Sequence, residues 1–445
     1  MKTTETLARF IAEYPAGTVP DAVRRHAISG LVNWAGCTLG GSHHPAVERA
    51  LTAFKPFMGP AQASLLGRPE RTDALHAALL NGIASHVLDF DDTHLATLVH
   101  PSGPVLSALL AYAQFHRISG PDFVDAAAIG IEVECRIAMG ICPAHYDIGW
   151  HVTGTVGGFG AAAAVARVMG LDSERVAWAL GIAATQAAGL REMFGTMCKS
   201  LHPGRAAQSG LSAALMAQAG YTSSVRAIEA PRGFANVVSS DPHLEDTVRD
   251  LGTRWEVLAN SFKPYACGVV IHPIIDACIA LHRKRLFDVS EIENIHFDVH
   301  PLVLELTGKT EPRTGLEGKF SVFHSAAIAL IEGRNAYEHY SDAAVNEPSV
   351  VSLRKRVTVT TVPGIRENET RVTVKLQDGR SFTHHVDYAL GSLQRPMSEA
   401  DISRKFLDLA KGALPLPAAE AAMQACWNVL ESDDAGSLAR LMEGV

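Results

Sequence analysis

Paired cysteines are missing from this chain. Its seven cysteines (Cys37, Cys135, Cys142, Cys198, Cys267, Cys278, Cys426) are odd in number and widely spaced, and no C-x-x-C occurs. That pattern signals neither a zinc knuckle nor an iron–sulfur cluster, and it reads as free thiols in a cytoplasmic protein. Charge is sparse as well. Only 19% of residues are charged, the net charge is −8, and no basic block occurs. Nucleic-acid binding is therefore not expected. The few cations near polar patches suit a small anionic substrate better than a polyanion. Long apolar runs are lacking too: the Ala-rich stretch 159–169 is short and contains Arg167. No membrane span is predicted. The opening MKTTETLARFIAEYP reads as an amphipathic helix start and not as a signal peptide. There is no nucleophile elbow, P-loop, internal repeat or low-complexity tract.

Apolar residues are plentiful at 47%, so a large core is expected. Apolar periodicity predicts helices over 21–40, 73–88, 104–117, 121–141, 158–169, 173–189 and 204–219. Pro104 and Pro203 are read as lying near helix starts, and Asp172 and Ser173 as an N-cap. The pattern changes after about residue 260. Strand-like alternation marks 292–306, 356–362 and 370–386, and Asp378-Gly379 predicts a hairpin turn in the last. The expected fold class is mainly α. A large all-helical domain (1–259 and 394–445, discontinuous) would carry a smaller α+β lid domain (260–393).

Four polar patches interrupt the helices. HVLDFDDTHLATLVHPSGP (86–104) gathers Asp89, Asp91, Asp92, Thr93, Thr97 and three histidines, His86, His94 and His100. Such a cluster supplies an acid–base group, an orienting carboxylate and a hydroxyl donor. His100 precedes Pro101, whose ring restricts the backbone, and is the first candidate histidine. The spacing matches no zinc or calcium pattern, so no metal is expected. HYDIGWHVTGTVGGFG (145–160) offers Tyr146 and His151 as acid or base. Its glycines suit close packing or an amide cradle for a carboxylate. REMFGTMCKSLHPGRAA (191–207) brings Lys199, His202 and Arg205 to one helix start, with Arg191 as a possible carboxylate clamp. SFKPYACGVVIHPIIDA (261–277) places Lys263, Tyr265 and His272 at the domain junction.

These four patches, in this order, resemble signatures of the MmgE/PrpD family. KFSVFHSAAIAL (319–330) and GSLQRPMS (391–398) extend the likeness over nearly the whole chain. The resemblance implies a helical large domain, an α+β lid, a homodimer, no cofactor and a small polycarboxylate substrate. It places the family's pocket on Asp89, Thr93, His100, His151 and Lys199, with the cleft edge near His272. Activities in the family include 2-methylcitrate dehydration, cis-aconitate decarboxylation and iminodisuccinate epimerisation.

One departure stands out. Where the lyase branches tend to carry tyrosine in the lid helix, alignment on Ser321 gives His324, preceded by Phe323. With the compact length, this favours a cofactor-independent epimerase of the iminodisuccinate type; the alternative is a lyase, dehydrating 2-methylcitrate or decarboxylating cis-aconitate. In the epimerase reading Lys199 removes the α-proton and Tyr146, His151 or His100 returns one on the opposite face. Asp89 tunes a histidine. Arg191, Arg205 and the amides of 154–158 bind carboxylates, assisted by Thr93, His202, His272 and His324.

Overall fold

The computed structural model describes residues 2–444. Its first half is a stack of helices whose starts the sequence marks. α1 spans Asp21–Gly41, α2 Ala74–Val87, α3 Ser102–Ala113 and α4 Gly120–Met139. α2 is capped by Asp73, which accepts from the His76 amide, and α4 by Ser119, which accepts from that of Asp122. α5 (Val152–Val168) and α6 (Cys198–Gln218) complete the centre. α6 packs against α2, α3 and α5, and nearly every side chain of α5 is buried.

Several boundaries differ from the predicted ones: the helices predicted over 104–117 and 173–189 end at Ala113 and Ala184, and two others start early. α5 begins six residues before 158, because Val152–Gly157 are small or apolar enough to enter the core. α6 begins at Cys198, so Pro203 lies inside it. Proline there removes only the amide that would have bonded the Lys199 carbonyl, and the helix continues.

Glycine sets the closest crossing. A Cβ on Gly82 of α2 would lie 2.5 Å from Gly204 Cα of α6, and one on Gly204 would lie 2.4 Å from the Leu79 carbonyl oxygen. The two backbones therefore touch, and this contact brings the end of α2 to the start of α6. Gly204→Ala should cost about 1–3 kcal/mol, the usual range for overpacking. Urea unfolding would measure it, and an unchanged midpoint would show that the crossing has slack.

The second half mixes helix and strand. α7 (His272–Lys284) leads to β1 (Ile292–Val299), then α8 (Val322–Glu332), β2 (Val357–Thr361), β3 (Thr370–Leu376) and β4 (Ser381–Val386). The sheet order is β2-β1-β3-β4, with β1 and β2 parallel and the other pairs antiparallel. β3 and β4 form the predicted hairpin, with Gly379 at φ 90. The predicted strand over 292–306 ends at Val299. Pro301 cannot extend a ladder and instead opens the short helix Pro301–Thr307. α7 covers the sheet and packs on α8.

α9 (Glu399–Ala410) returns to pack on α1. From it the buried Lys405 donates to Asn33 Oδ1 (2.7 Å), the Phe90 carbonyl (2.5 Å) and the Lys263 carbonyl (2.8 Å). One ammonium thus ties three distant segments together. The architecture is mainly α, as the periodicity predicts. Among the described residues no helix is long and apolar enough to cross a membrane.

Candidate active site

The α2–α6 crossing decides which side chains meet. α2 ends by presenting His86. The chain then turns at Asp89, whose φ of 51 is a conformation that aspartate tolerates better than most residues. A loop follows, pinned by antiparallel pairing of Thr93–His94 with Asn260–Ser261. That pairing carries Lys263 to Asp89. The His100 amide donates to Thr153 Oγ1 of α5 (3.0 Å), which docks the far end of the loop. Lys199 comes from the first turn of α6, and His151 is the residue just before α5.

Asp89 is the electrostatic centre. Its Oδ1 accepts from Lys199 Nζ and from Lys263 Nζ, each at 2.9 Å. All three residues are buried. Burial opposes ionisation of Asp89, but the two ammonium groups outweigh it and hold the carboxyl well below its ordinary range. The two lysines differ. Burial pulls Lys199 below the usual lysine value, only partly offset by Asp89. For Lys263 burial acts the same way, but Asp89 and Asp91 win and raise it. Lys199 is therefore the better acid of the pair.

Histidines form the second layer. His86 Nδ1 lies 2.7 Å from Asp91 Oδ2, and His86 Nε2 lies 2.8 Å from Lys199 Nζ. His100 Nδ1 is 2.7 Å from the Asp92 carbonyl oxygen and 3.2 Å from Thr93 Oγ1. A carbonyl only accepts, so His100 carries its proton on Nδ1 and keeps a lone pair on Nε2. His151 Nδ1 pairs with His202 Nδ1 at 2.8 Å, and His151 Nε2 is buried without a partner. Burial lowers His86, His100 and His151, with neighbouring lysines adding to it, and takes His202 to about 4. These imidazoles are neutral near pH 7. Asp92, behind them, is pushed up to about 6 by burial and by Asp91.

The groups face a narrow cleft. Asp89, Thr93, His100, Tyr146, His151, Lys199 and Lys263 supply its polar wall, and Leu98, Phe194, Val269, Val270, Leu306 and Phe320 its apolar wall. The enclosed space is about 50 Å³, room for one or two waters. Burial raises the Tyr146 phenol, which stays a donor. His86, His100 and His151 stand close enough to share an ion, as do His86, Asp89 and Asp91. A cation there would face two ammonium groups already bonded to Asp89 and His86, so the donor set favours an anion.

Six of the predicted site residues line the cleft: Asp89, Thr93, His100, Tyr146, His151 and Lys199. Five do not. Arg205 is exposed and bonded to Gln208 Oε1, because three-residue steps carry it about 120° around the helix from Lys199. Arg191 lies over the Tyr146 ring at 3.9 Å and bonds the Tyr146 carbonyl and Glu305, so its fork is occupied. His202 reaches the cleft only through His151. His272 lines a separate cavity of about 560 Å³ beyond Val269 and Val270. His324 is buried against Tyr340 and its Nε2 is held by the His339 carbonyl (2.9 Å). The amides of 154–158 are no cradle either, since they lie within α5.

Sequence reasoning placed Lys263 at the domain junction, over a pocket, and His86 in the first polar cluster, and counted neither among the site residues. It missed Lys319, whose buried ammonium bonds the carbonyls of Leu88 and Ala266 (3.1 Å for the latter) beside the cleft and which burial lowers to about 8. The available signal was a lysine set among apolar residues, GKFSVF.

The sequence has its counterpart in known proteins. The MmgE/PrpD N-terminal domain matches residues 5–247, and the MmgE/PrpD C-terminal domain matches residues 265–429. The cis-aconitate decarboxylase of Mus musculus is 27% identical over 99% of this chain and 93% of its own length. That of Homo sapiens is 27% identical over 99% of this chain and 94% of its own. One from Aspergillus terreus is 26% identical, covering 92% and 89%. These relatives are lyases by name, which overturns the expected isomerase and the iminodisuccinate epimerase with it. The physical basis of that expectation also falls, because His324 does not face the cleft.

Proposed function

This chain belongs to the MmgE/PrpD family, and on that premise we propose that it is a lyase that removes carbon dioxide from a small unsaturated tricarboxylate of the cis-aconitate type. One observation carries the reading: two ammonium groups share one buried carboxylate at the edge of a cleft whose other wall is apolar. The full-length likeness to named cis-aconitate decarboxylases supports it.

The chemistry follows from the substrate class. The carboxylate on the saturated carbon of such an acid is β,γ to the double bond. When its C–C bond breaks, CO₂ leaves. The electron pair spreads over three carbons and into the conjugated carboxylate. A proton then adds to carbon and the double bond settles in its new place. Lys263, the more firmly cationic lysine, holds the carboxylate that receives the electrons. Phe194, Phe320, Leu98 and Leu306 surround the leaving carboxylate, where loss of water favours the neutral product CO₂. Lys199 gives the proton and regains one from water as product departs. Tyr146 and Thr93 donate hydrogen bonds. A six-carbon tricarboxylate exceeds the enclosed space, so the walls part to admit it: Phe320, Leu306 and Val269 from the second half move away from His100 and Lys199.

The test is proton NMR of the purified protein with cis-aconitate in D₂O, with 2-methylcitrate in a parallel sample. The expected result is CO₂ release and an unsaturated dicarboxylate carrying one solvent deuterium on carbon. Loss of water from 2-methylcitrate with no CO₂ from cis-aconitate would replace decarboxylation with dehydration.

A further inference from the structure

Lys199 and Asp89 meet at the cleft, but a second pair of fully buried groups stands directly behind them. The His86 and Asp91 side chains have no solvent exposure. They form a chain, Asp91 Oδ2 to His86 Nδ1 at 2.7 Å and His86 Nε2 to Lys199 Nζ at 2.8 Å. This is the order of carboxylate, imidazole and reacting group found in nucleophile triads, with an ammonium in place of a hydroxyl.

Burial would raise Asp91, but the hydrogen bond from His86 and the nearby Lys263 ammonium help to hold it below its ordinary range, so Asp91 is ionised and only accepts. The Nδ1 of His86 must then carry a proton. Burial keeps the ring neutral, so Nε2 presents a lone pair to Lys199. An ammonium has three protons. One of those on Lys199 goes to His86 Nε2 and one to Asp89 Oδ1. The third has no partner among these groups. Lys199 Nζ lies 5.3 Å from the Phe194 ring centre and 5.6 Å from that of Phe320, the two aromatics that wall the cleft.

We infer that Asp91 is a positioning residue: by fixing the tautomer of His86 it tethers Lys199 so that a single N–H is aimed into the cleft. The inference rests on the reading above in making Lys199 the proton donor. The tether also governs the acidity of Lys199. The titratable groups facing that ammonium are His86, Asp89 and Lys263, with Asp91, His151 and Lys319 just beyond. Asp91 additionally stands 3.7 Å from His100 Nδ1, so the same carboxylate biases both rings.

Asp91→Asn tests this. An amide nitrogen facing His86 Nδ1 would force the proton to Nε2, where it would confront the Lys199 ammonium. Three results are expected. kcat falls by about 10²–10⁴-fold, as for the loss of an acid–base group. KM stays within about threefold, since Lys263 loses the nearby Asp91 charge but keeps its bond to Asp89. Acetylation of Lys199 by trace acetic anhydride at pH 7, read by peptide mass spectrometry, speeds up about tenfold, which a one-unit fall in its pKa would produce. Asp91→Glu should return the labelling rate toward wild type. A folded Asp91→Asn protein whose His86 proton has moved to Nε2, read by ¹⁵N NMR, and which still labels at the wild-type rate would overturn the inference. If that variant does not fold, ¹⁵N NMR of the wild-type histidines decides instead: a His86 proton on Nε2, and none on Nδ1, is equally fatal. Neither labelling nor NMR needs turnover. Failure of the decarboxylase reading would therefore show separately, as a wild-type protein inert toward cis-aconitate.

Discussion

If the proposed decarboxylation is this protein's reaction, replacing Lys199 with methionine is expected to lower its kcat by about 10²–10⁴-fold while the protein stays folded. Methionine fills much the same volume, so the first turn of α6 keeps its packing. Asp89 remains paired with Lys263 at 2.9 Å, so no carboxylate is stranded. What disappears is the donor that burial has made the more acidic of the two lysines. Lys199→Arg separates acid from charge. Guanidinium keeps the positive charge but stays protonated throughout the accessible pH range. It should bind substrate and still turn over slowly. Steady-state kinetics of both variants, with urea unfolding as a control on folding, would measure this. A methionine variant within tenfold of wild-type kcat would remove Lys199 from the chemistry, and Tyr146 would become the next donor to test.

Local sequence revealed what local sequence controls. Asp89, Thr93 and His100 sit within one loop, and Tyr146, His151 and Lys199 fall in two further dense patches. Polar density between apolar helices marks the patches, and the family resemblance singles out Asp89, Thr93, His100, His151 and Lys199 within them. Local sequence failed where the answer depends on rotation about a helix or on distant partners. Lys199, His202 and Arg205 look convergent in sequence, yet each three-residue step turns about 60° away from the last, and Arg205 ends in solvent. Lys405 lies among Ile402, Phe406 and Leu409 on the buried face of α9. A cation at such a position is a legible oddity, but its partners Asn33, Phe90 and Lys263 are far away in the chain. His324 was judged by alignment, and only the His339 carbonyl shows where it points. The mainly helical fold and the hairpin at Gly379 were readable because periodicity and turn chemistry agree there.

Asp89→Asn should be the most destabilising single change at the site, and the loss should depend on pH in a stated direction. Asparagine has the same shape and also tolerates the positive φ of 51, so the backbone need not move. Its effect is electrostatic. Lys199 and Lys263 each sit 2.9 Å from the one carboxylate oxygen, and neutralising it leaves two buried ammonium groups facing each other. Breaking a buried ion pair from one side costs about 3–5 kcal/mol. The protein's answer is to release a proton from Lys199, already the weaker holder. In the variant its folded-state pKa therefore falls further below the unfolded lysine value of about 10.4. Between those two values the unfolded chain binds more protons than the folded one, and stability rises with pH. Below the folded value both states hold the proton and the full cost is felt. The deficit relative to wild type should thus be largest from about pH 4 to neutral pH, and should shrink as pH approaches 10. In wild type the Asp89 contribution runs the other way. It is complete above the unfolded carboxyl value of about 3.9 and is lost only as pH falls toward the depressed native value. Urea unfolding of both proteins at pH 7 and pH 9.5 distinguishes the cases. An equal deficit at the two pH values would mean that the cost is steric or hydrogen-bonded, and that Asp89 does not serve to hold two cations side by side.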